Sequence, residues 1–328
     1  MDADTTPAPD LQDGHAGDRT EPRTLAEAER ESVPEPRSEP ESPSEPGAEL
    51  AVGPGAGPGA GPGTGAPAWS QERYRDGMFS HAVDGERGRL QLLESVLDEA
   101  TRSRLTALGL KPGDDVLEVG GGAGSVARWT AGQGARVTVT DLDTAFLHDL
   151  SGSGVRVLRH DMYTEDFPPE SFDVVHTRFV LLHLPDPDRA VARLASWLKP
   201  GGVLLVEEPA SFPVLDSPHA AYCTVMRAFR DHLERALGSH TAWARSLPVP
   251  LQRAGLGEVG IDPRLQVVYG GGAETRWWQM TLEQAREGIV AAGLARDADF
   301  EAAYREMDAP DFVDLSVAVF AAWGRRVL

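Results

Sequence analysis

The chain has 328 residues, 41% of them hydrophobic, and a formal net charge of −20. Its apolar fraction suffices for a sizeable buried core, whereas its acidity and the lack of a basic stripe argue against binding to nucleic acid. A single cysteine, Cys223, excludes an internal disulfide and a multi-cysteine metal site. Since no apolar run reaches the roughly 20 residues that cross a bilayer, we expect a cytoplasmic protein that binds neither nucleic acid nor membrane.

The first 69 residues differ in composition from the rest of the chain. They are rich in Pro, Glu, Ser, Ala and Gly, and residues 53–65 carry a Gly-Pro-Gly-Ala repeat. The first 70 residues also hold 14 acidic residues against 4 arginines, about half of the excess negative charge. Such a composition cannot bury enough apolar surface to offset the entropy of ordering, which predicts a disordered tail over residues 1–69.

From residue 70 onward the apolar pattern predicts alternating helices and strands. Helical spacing over residues 73–79 and 87–108 predicts two or three helices before the first strand. The segments that follow predict strands over residues 116–119, 137–140, 155–158, 172–176 and 203–206, and helices over 125–132 and 187–198. Strands that alternate with helices pair in parallel through right-handed crossovers, so we expect an α/β fold with helices on both faces of the sheet.

The pattern changes after Pro209, where the sequence becomes mostly helical. Helices are predicted over residues 220–237, 242–254, 277–292 and 299–307, and strands over 260–268 and 315–323. Helices placed late in an α/β domain commonly cover the ligand crevice. We therefore expect these helices to form a lid.

A glycine cluster directly follows the first predicted strand and precedes a helix. Residues 116–124 are Val-Leu-Glu-Val-Gly-Gly-Gly-Ala-Gly. Such a loop lets the backbone approach a ligand closely, with helix N–H groups facing it, although a tight turn without a ligand is an alternative. The dinucleotide fingerprint Gly-x-Gly-x-x-Gly would need glycine at position 125, where this chain has Ser125.

The spacing of an acid and three glycines, from Glu118 to Gly124, resembles motif I of the class I S-adenosylmethionine-dependent methyltransferases. Four further segments resemble the same family in order and spacing: Asp141 after the second strand, His160-Asp161-Met162 after the third, Phe172-Asp173-Val174-Val175-His176 in the fourth, and Leu198-Lys199-Pro200-Gly201-Gly202 before the fifth. The resemblance covers residues 86–208.

This resemblance implies a Rossmann-like seven-stranded sheet, mostly parallel, with a final antiparallel strand near residues 315–323. It also implies that the methyltransferase domain spans residues 70–328. Within this domain, residues of about 86–208 would form the cofactor-binding core and residues of about 209–310 a substrate or lid region. The implied reaction is methyl transfer from S-adenosylmethionine to an oxygen, nitrogen or carbon of a small molecule, in a bacterial biosynthetic or secondary-metabolite pathway.

The resemblance also implies roles for individual residues. Gly120 and Gly122 would face the methionine part of the cofactor, Asp141 its ribose, and Asp161 its adenine. The full set of implied cofactor-binding residues is Arg89, Glu118, Gly120, Gly122, Gly124, Asp141, Leu142, Asp161, Met162 and Arg178. For Arg89 and Arg178 a solvated side chain is an equal alternative, and for Asp141 the alternative is a helix cap.

Two residues are candidates for a general base where the crevice opens. They are His183, in Leu181-Leu182-His183-Leu184, and Glu208, with its neighbour Glu207 as a further candidate. A Leu-Leu-His-Leu segment without a catalytic role is the competing interpretation for His183. Tyr222 and the pair Trp277-Trp278 would line an apolar pocket, stack on a cationic substrate or pack in the core. No metal-ligand spacing is visible, so we expect no metal.

Two other functions remain open from the sequence. An NAD(P)-dependent oxidoreductase would share the glycine loop and the ribose acid, and a non-catalytic protein could keep the S-adenosylmethionine site. A homodimer is one possible assembly that the sequence neither requires nor excludes.

Overall fold

The computed structural model describes residues 77–152 and 154–327. The tail predicted for residues 1–69 and the first part of the helix predicted for residues 73–79 lie outside these ranges.

The described residues form helices and strands in the order expected for an α/β fold. In chain order they are α1 (Glu86–Ala107), β1 (Asp115–Val119), α2 (Ser125–Gly132), β2 (Arg136–Asp141), β3 (Arg156–Arg159), β4 (Phe172–Arg178), α3 (Pro187–Ser196), β5 (Leu198–Ala210), α4 (Ala220–His232), α5 (Pro248–Arg253), β6 (Leu256–Tyr269), α6 (Ala273–Ala291), α7 (Asp297–Met307) and β7 (Val313–Arg326).

The seven strands form one sheet in the order β3-β2-β1-β4-β5-β7-β6. Strands β1 to β5 pair in parallel, and β7 runs antiparallel to both of its neighbours, β5 and β6. This confirms the predicted seven-stranded, mostly parallel Rossmann-like sheet and its antiparallel last strand. The strand order reverses at β1 and β4, so the crevice at the carboxyl ends of these strands is where an open α/β sheet binds its ligand.

Alternate side chains of each strand pack on opposite faces of the sheet. On one face, Leu117 of β1 and Leu204 of β5 join a core that includes residues of α3 and α5. On the other face, Val116 of β1 and Val203 of β5 join a core with α1 and α2. This separation follows from the two-residue period of a strand, and it confirms helices on both faces.

A third hydrophobic core belongs to the late helices α4, α6 and α7. Its largest buried side chains include Tyr222, Trp278 and Phe300. The indole Nε1 of Trp278 donates a hydrogen bond to the Ser316 hydroxyl of β7 at 2.8 Å, which ties this layer to the sheet.

The structure differs from the predicted elements in two places. Residues 77–79 form turns, so the helix predicted for residues 73–79 is wrong in its described part, where Gly77 weakens helical propensity. The helix predicted over residues 242–254 is two short pieces, Trp243–Ser246 and α5. Pro248 begins the second piece because a proline is accepted in the first turn of a helix but disrupts a helix interior.

None of the helices in the described part of the chain is long and apolar enough to cross a bilayer.

Candidate active site

A large cavity opens at the carboxyl ends of β1, β2 and β4. It holds about 1400 Å³ of empty space, its opening to solvent included. Eight of the ten residues implied to bind the cofactor line this cavity, together with His183: they are Arg89, Gly120, Gly122, Asp141, Leu142, Asp161, Met162 and Arg178. Glu118, Gly124 and Glu208 are not among the lining residues.

Positive φ, close neighbours or both disfavour a side chain at the glycines of the loop. Gly120 has φ of +74°, and a Cβ atom there would lie 2.3 Å from Cγ2 of Val180. Gly122 has φ of +55°. Gly124 precedes α2 in a left-handed conformation, and a Cβ there would meet Leu150 at 2.7 Å. Gly120 and Gly122 thus leave backbone in the cavity wall, whereas Gly124 serves the packing of α2.

Asp141 ends β2 beside this loop and is half-buried. Its Oδ2 accepts a hydrogen bond from Gly122 N at 3.1 Å, and its Oδ1 accepts one from Asp143 N at 3.2 Å. Burial raises the pKa of the Asp141 carboxyl above its usual range, although the neighbouring His81 and these N–H groups oppose the rise. Each oxygen keeps acceptor capacity for a further donor in the cavity.

A second group of wall residues follows β3. Asp161 is buried, and its carboxylate accepts hydrogen bonds from Tyr163 N at 2.9 Å and from the Thr164 hydroxyl at 2.6 Å. His160 stacks on Phe167 with ring centroids 4.5 Å apart. Both ring nitrogens of His160 are buried without a hydrogen-bond partner among the described residues, and burial lowers its pKa.

The two arginines of the wall are already paired with acids. Arg89 binds Glu86 with two hydrogen bonds of 2.7 Å, and both side chains are buried. Arg178 donates to Asp98 Oδ1 and to the Thr101 hydroxyl, each at 3.0 Å. Neither guanidinium extends into bulk water, so the alternative in which these two side chains are solvated is wrong.

Behind the glycine loop lies a buried charge cluster, which we define as Glu118, His176, Glu207 and Arg104. Glu207 accepts from Arg104 Nη1 at 2.6 Å and lies 3.1 Å from His176 Nε2, and Glu118 lies 3.6 Å from His176 Nδ1. Glu118 and Glu207 are therefore held by this cluster, outside the cavity lining. The sequence offered no pattern that joins Arg104 of α1 to this site.

His183 lines the cavity in the short 3₁₀ turn Leu181–His183. Its Nδ1 lies 2.8 Å from the Ser239 hydroxyl, and its ring centroid is 5.5 Å from that of Phe79. Burial, aided by the positive charge of Arg89, lowers the pKa of His183 to about 3. The imidazole is therefore neutral at physiological pH.

Glu208 does not occupy the position predicted for a base. Its carboxylate accepts hydrogen bonds from the backbone N–H groups of Val180, Leu181 and Leu182 at 3.0, 2.7 and 3.3 Å. Burial raises its pKa to about 8, against the opposite influence of these N–H groups. The side chain is fully buried and supports the turn that carries His183.

The structure adds wall residues that the sequence analysis did not single out. Phe79 and His81 come from the segment before α1, and Phe229 and Leu233 from the end of α4. The apolar spacing over residues 73–79 predicted a helix but gave no signal that Phe79 would line the cavity. Trp277 and Trp278 line the cavity, whereas Tyr222 is fully buried and packs in the core of the late helices.

No cluster of three or more His, Cys, Asp or Glu side chains arranged for a metal ion occurs within residues 77–152 and 154–327.

Comparison with known families identifies the chain. A family model described as a methyltransferase domain matches residues 92–256, half of the sequence. The chain belongs to the class I S-adenosylmethionine-dependent methyltransferases. This membership removes the NAD(P)-dependent oxidoreductase as an alternative.

The methyltransferase matches curated relatives over part of their length. It is 38% identical over 142 residues to a ubiquinone biosynthesis O-methyltransferase of Xanthomonas euvesicatoria, which covers 40% of this chain and 57% of the relative. It is 30% identical over 147 residues to phosphoethanolamine N-methyltransferase 3 of Arabidopsis thaliana, which covers 43% of this chain and 30% of the relative. The matched segments thus span less than two thirds of these relatives.

Among solved structures, a methyltransferase-like protein of Bacillus halodurans aligns with a TM-score of 0.48 and 18% identity over 70% of this chain and 100% of that one.

The cavity of this methyltransferase fits S-adenosylmethionine. Backbone at Gly120 and Gly122 lines the cavity, and Asp141 presents hydrogen-bond acceptors next to it. The carboxylate of Asp161 and the ring of His160 also belong to the cavity wall. These are the donor and acceptor types that the cofactor's methionine, ribose and adenine parts require.

Proposed function

We propose that this chain transfers the methyl group of S-adenosylmethionine to a small-molecule acceptor held in the same cavity beneath the late helices. The observation that carries the proposal is that one cavity is lined both by the glycine loop with Asp141 and by the neutral His183. A cofactor subsite and a polar group suited to an acceptor thus share one space.

In this proposal each part of the cofactor has its own residues. Backbone at Gly120 and Gly122 binds the methionine part, and Asp141 accepts hydrogen bonds from the ribose hydroxyls. Asp161 and Met162, with Leu142, hold the adenine. Of the four other implied residues, Arg89 and Arg178 lie in the wall, and Glu118 and Gly124 act from outside it: Gly124 by setting the start of α2, and Glu118 through the buried charge cluster.

Charge in the wall supports a cationic cofactor. The described lining contains three carboxylates, Glu86, Asp141 and Asp161, and two guanidiniums, Arg89 and Arg178, a formal excess of one negative charge. When bound, S-adenosylmethionine supplies a methyl group on a cationic sulfur, and a lone pair of the acceptor takes the methyl carbon as the carbon–sulfur bond breaks with its electron pair left on sulfur. The carboxylates stabilise the positive charge before transfer.

His183 receives the acceptor's proton in this scheme. In the tautomer that donates Nδ1–H to Ser239, Nε2 carries the ring's lone pair. A hydroxyl oxygen becomes a strongly acidic oxonium as it takes a methyl group, so for an oxygen acceptor a base of low pKa suffices. Glu208 acts as a positioning residue, because its three hydrogen bonds fix the turn that carries His183.

The acceptor belongs, in this proposal, to bacterial biosynthesis of a small metabolite in the cytoplasm. The net charge of −20 supports a partner other than nucleic acid.

Methyl transfer is tested with S-adenosylmethionine labelled in its methyl group and an extract of small metabolites. We expect label in a small molecule with wild type and none with Gly120→Ala, whose Cβ has no room beside Val180. Binding of the cofactor without label transfer to any fraction would favour the non-catalytic alternative and contradict the proposal.

A further inference from the structure

The part of the cavity wall formed by the late helices and the segment before α1 is mainly aromatic and aliphatic. Its apolar members are Phe79, Phe229, Leu233, Trp277 and Trp278, with Val317 of β7 beside them, and its polar members are His81 and Thr281. The rings of Trp277 and Trp278 have centroids 4.4 Å apart, and Phe229 meets Trp278 edge-on at 5.8 Å. Packed rings of this kind make a stiff wall that favours a flat apolar ligand.

One polar atom in this wall is unsatisfied. The Nε1–H of Trp277 is buried and has no hydrogen-bond partner among the described residues. Trp277 is 6% exposed, whereas its neighbour Trp278 donates its own Nε1–H to Ser316 at 2.8 Å. A buried donor without a partner costs free energy that a ligand oxygen placed there would recover.

Both arginines in the described part of the wall are already paired with carboxylates. Arg89 is neutralised by Glu86 through two hydrogen bonds of 2.7 Å, and Arg178 by Asp98 at 3.0 Å. His81 lies 3.7 Å from the Asp143 carboxylate. Both guanidiniums are thus already paired, so a phosphate group would enter the described wall without an unpaired cation to meet it.

We propose that the methyl acceptor is an uncharged aromatic molecule with an oxygen that accepts a hydrogen bond from Trp277 Nε1. This inference rests on the proposed function and specifies the acceptor of the same site. It places the chain apart from enzymes whose acceptor is a phosphorylated amine, because both arginines of the described wall are already paired with carboxylates.

A matched pair of probes tests the class of acceptor: 2-naphthol and 2-naphthyl phosphate, which share one ring system and differ in charge. Each is titrated calorimetrically into the full-length protein saturated with S-adenosylhomocysteine. We expect 2-naphthol to bind at least tenfold more tightly than the phosphate. Equal or tighter binding of the phosphate, or no binding of 2-naphthol, would overturn the inference.

Trp277→Phe tests the hydrogen bond, since it keeps an aromatic ring and removes the Nε1–H. We expect about tenfold weaker binding of 2-naphthol and unchanged binding of S-adenosylhomocysteine. The control is Trp243→Phe, which removes an indole N–H that donates to Asp188 outside the cavity lining and should change neither affinity. Unchanged 2-naphthol affinity in Trp277→Phe would contradict the assigned oxygen contact. Failure of wild type to bind S-adenosylhomocysteine would instead contradict the proposed function.

Discussion

The Nε2 atom of His176 lies 3.1 Å from Oε2 of Glu207, and both side chains are fully buried. Burial alone would lower the pKa of His176, but the carboxylates of Glu118 and Glu207 outweigh it and raise the pKa to about 9. Burial would likewise raise the pKa of Glu207, yet its bond to His176 lowers it to about 2. The pair is thus charged across the physiological range and stabilises the strands that carry the glycine loop.

A pH dependence of stability follows from His176. Its pKa in the folded protein is above the value of 6.5 for a free side chain, so the stabilisation is complete below pH 6.5 and is lost as pH rises through about 9. We expect the free energy of unfolding to fall by up to about 3 kcal/mol between pH 6.5 and 10. In His176→Gln this fall should shrink to that of the other titrating groups. Denaturant unfolding of both proteins across this range measures it, and parallel curves would rule out a charged His176.

Glu208 is expected to act through structure and not as a base. Glu208→Gln keeps one oxygen for the N–H groups of Val180 and Leu181, so turnover should fall by no more than several fold. Glu208→Ala leaves buried N–H groups unpaired, at about 1 to 3 kcal/mol for each group, and should lower the melting temperature clearly. Steady-state kinetics and thermal melts of the two variants distinguish these roles. Loss of turnover in a stably folded Glu208→Gln would indicate a catalytic carboxylate instead.

His183 should titrate far from neutrality. Because its pKa is lowered to about 3 by burial, the rate of methyl transfer should show no loss between pH 8 and 5 from protonation of this side chain. His183→Asn should lower kcat by about 10² or more if the ring accepts the proton, with the affinity for S-adenosylmethionine unchanged. A pH–rate profile beside calorimetric titration checks both. A wild-type inflection near pH 6.5 that disappears in His183→Asn would show that the ring is not held neutral.

The glycine loop can be tested with a matched pair of substitutions. Gly120 and Gly238 both have positive φ, but a Cβ at Gly120 would lie 2.3 Å from Val180, whereas a Cβ at Gly238 meets nothing within 4 Å. Both alanine variants carry the backbone cost of about 1 kcal/mol. Only Gly120→Ala should also weaken S-adenosylmethionine binding, by more than tenfold. Equal affinities in the two variants would mean that the loop does not contact the cofactor.

The parallel part of the sheet was predictable from the sequence because most of its strands are short apolar segments that lie between helical ones. Asp186, for example, caps α3 as predicted and accepts from Arg189 N at 2.9 Å. The prediction was wrong where prolines divide an apparently continuous helical pattern, as at Pro248. The apolar spacing of a helix continues on both sides of Pro248, so the spacing alone does not show that the helix is interrupted there.

The candidate site was predictable only where residues adjoin strand ends. Gly120, Asp141 and Asp161 come from such positions and line the cavity. The place of Glu118 could not be predicted in this way. It lies in the buried charge cluster, which depends on a tertiary contact with His176 that sequence spacing does not encode. For the same reason the sequence could not separate Glu208, bound to three backbone N–H groups, from a base.

The most direct test of the account is the affinity of Asp141→Ala for S-adenosylmethionine, measured by calorimetric titration beside thermal melts. A carboxylate that accepts hydroxyl hydrogen bonds in a partly buried site contributes about 1.5 kcal/mol or more, so the variant should bind at least tenfold more weakly. Asp141→Asn should fall between it and wild type. Asp149→Ala, which removes an exposed carboxylate paired with Arg87, is the control and should bind as wild type does. If Asp141→Ala binds S-adenosylmethionine as tightly as wild type and only melts at a lower temperature, Asp141 is a structural cap and the assigned cofactor site is wrong.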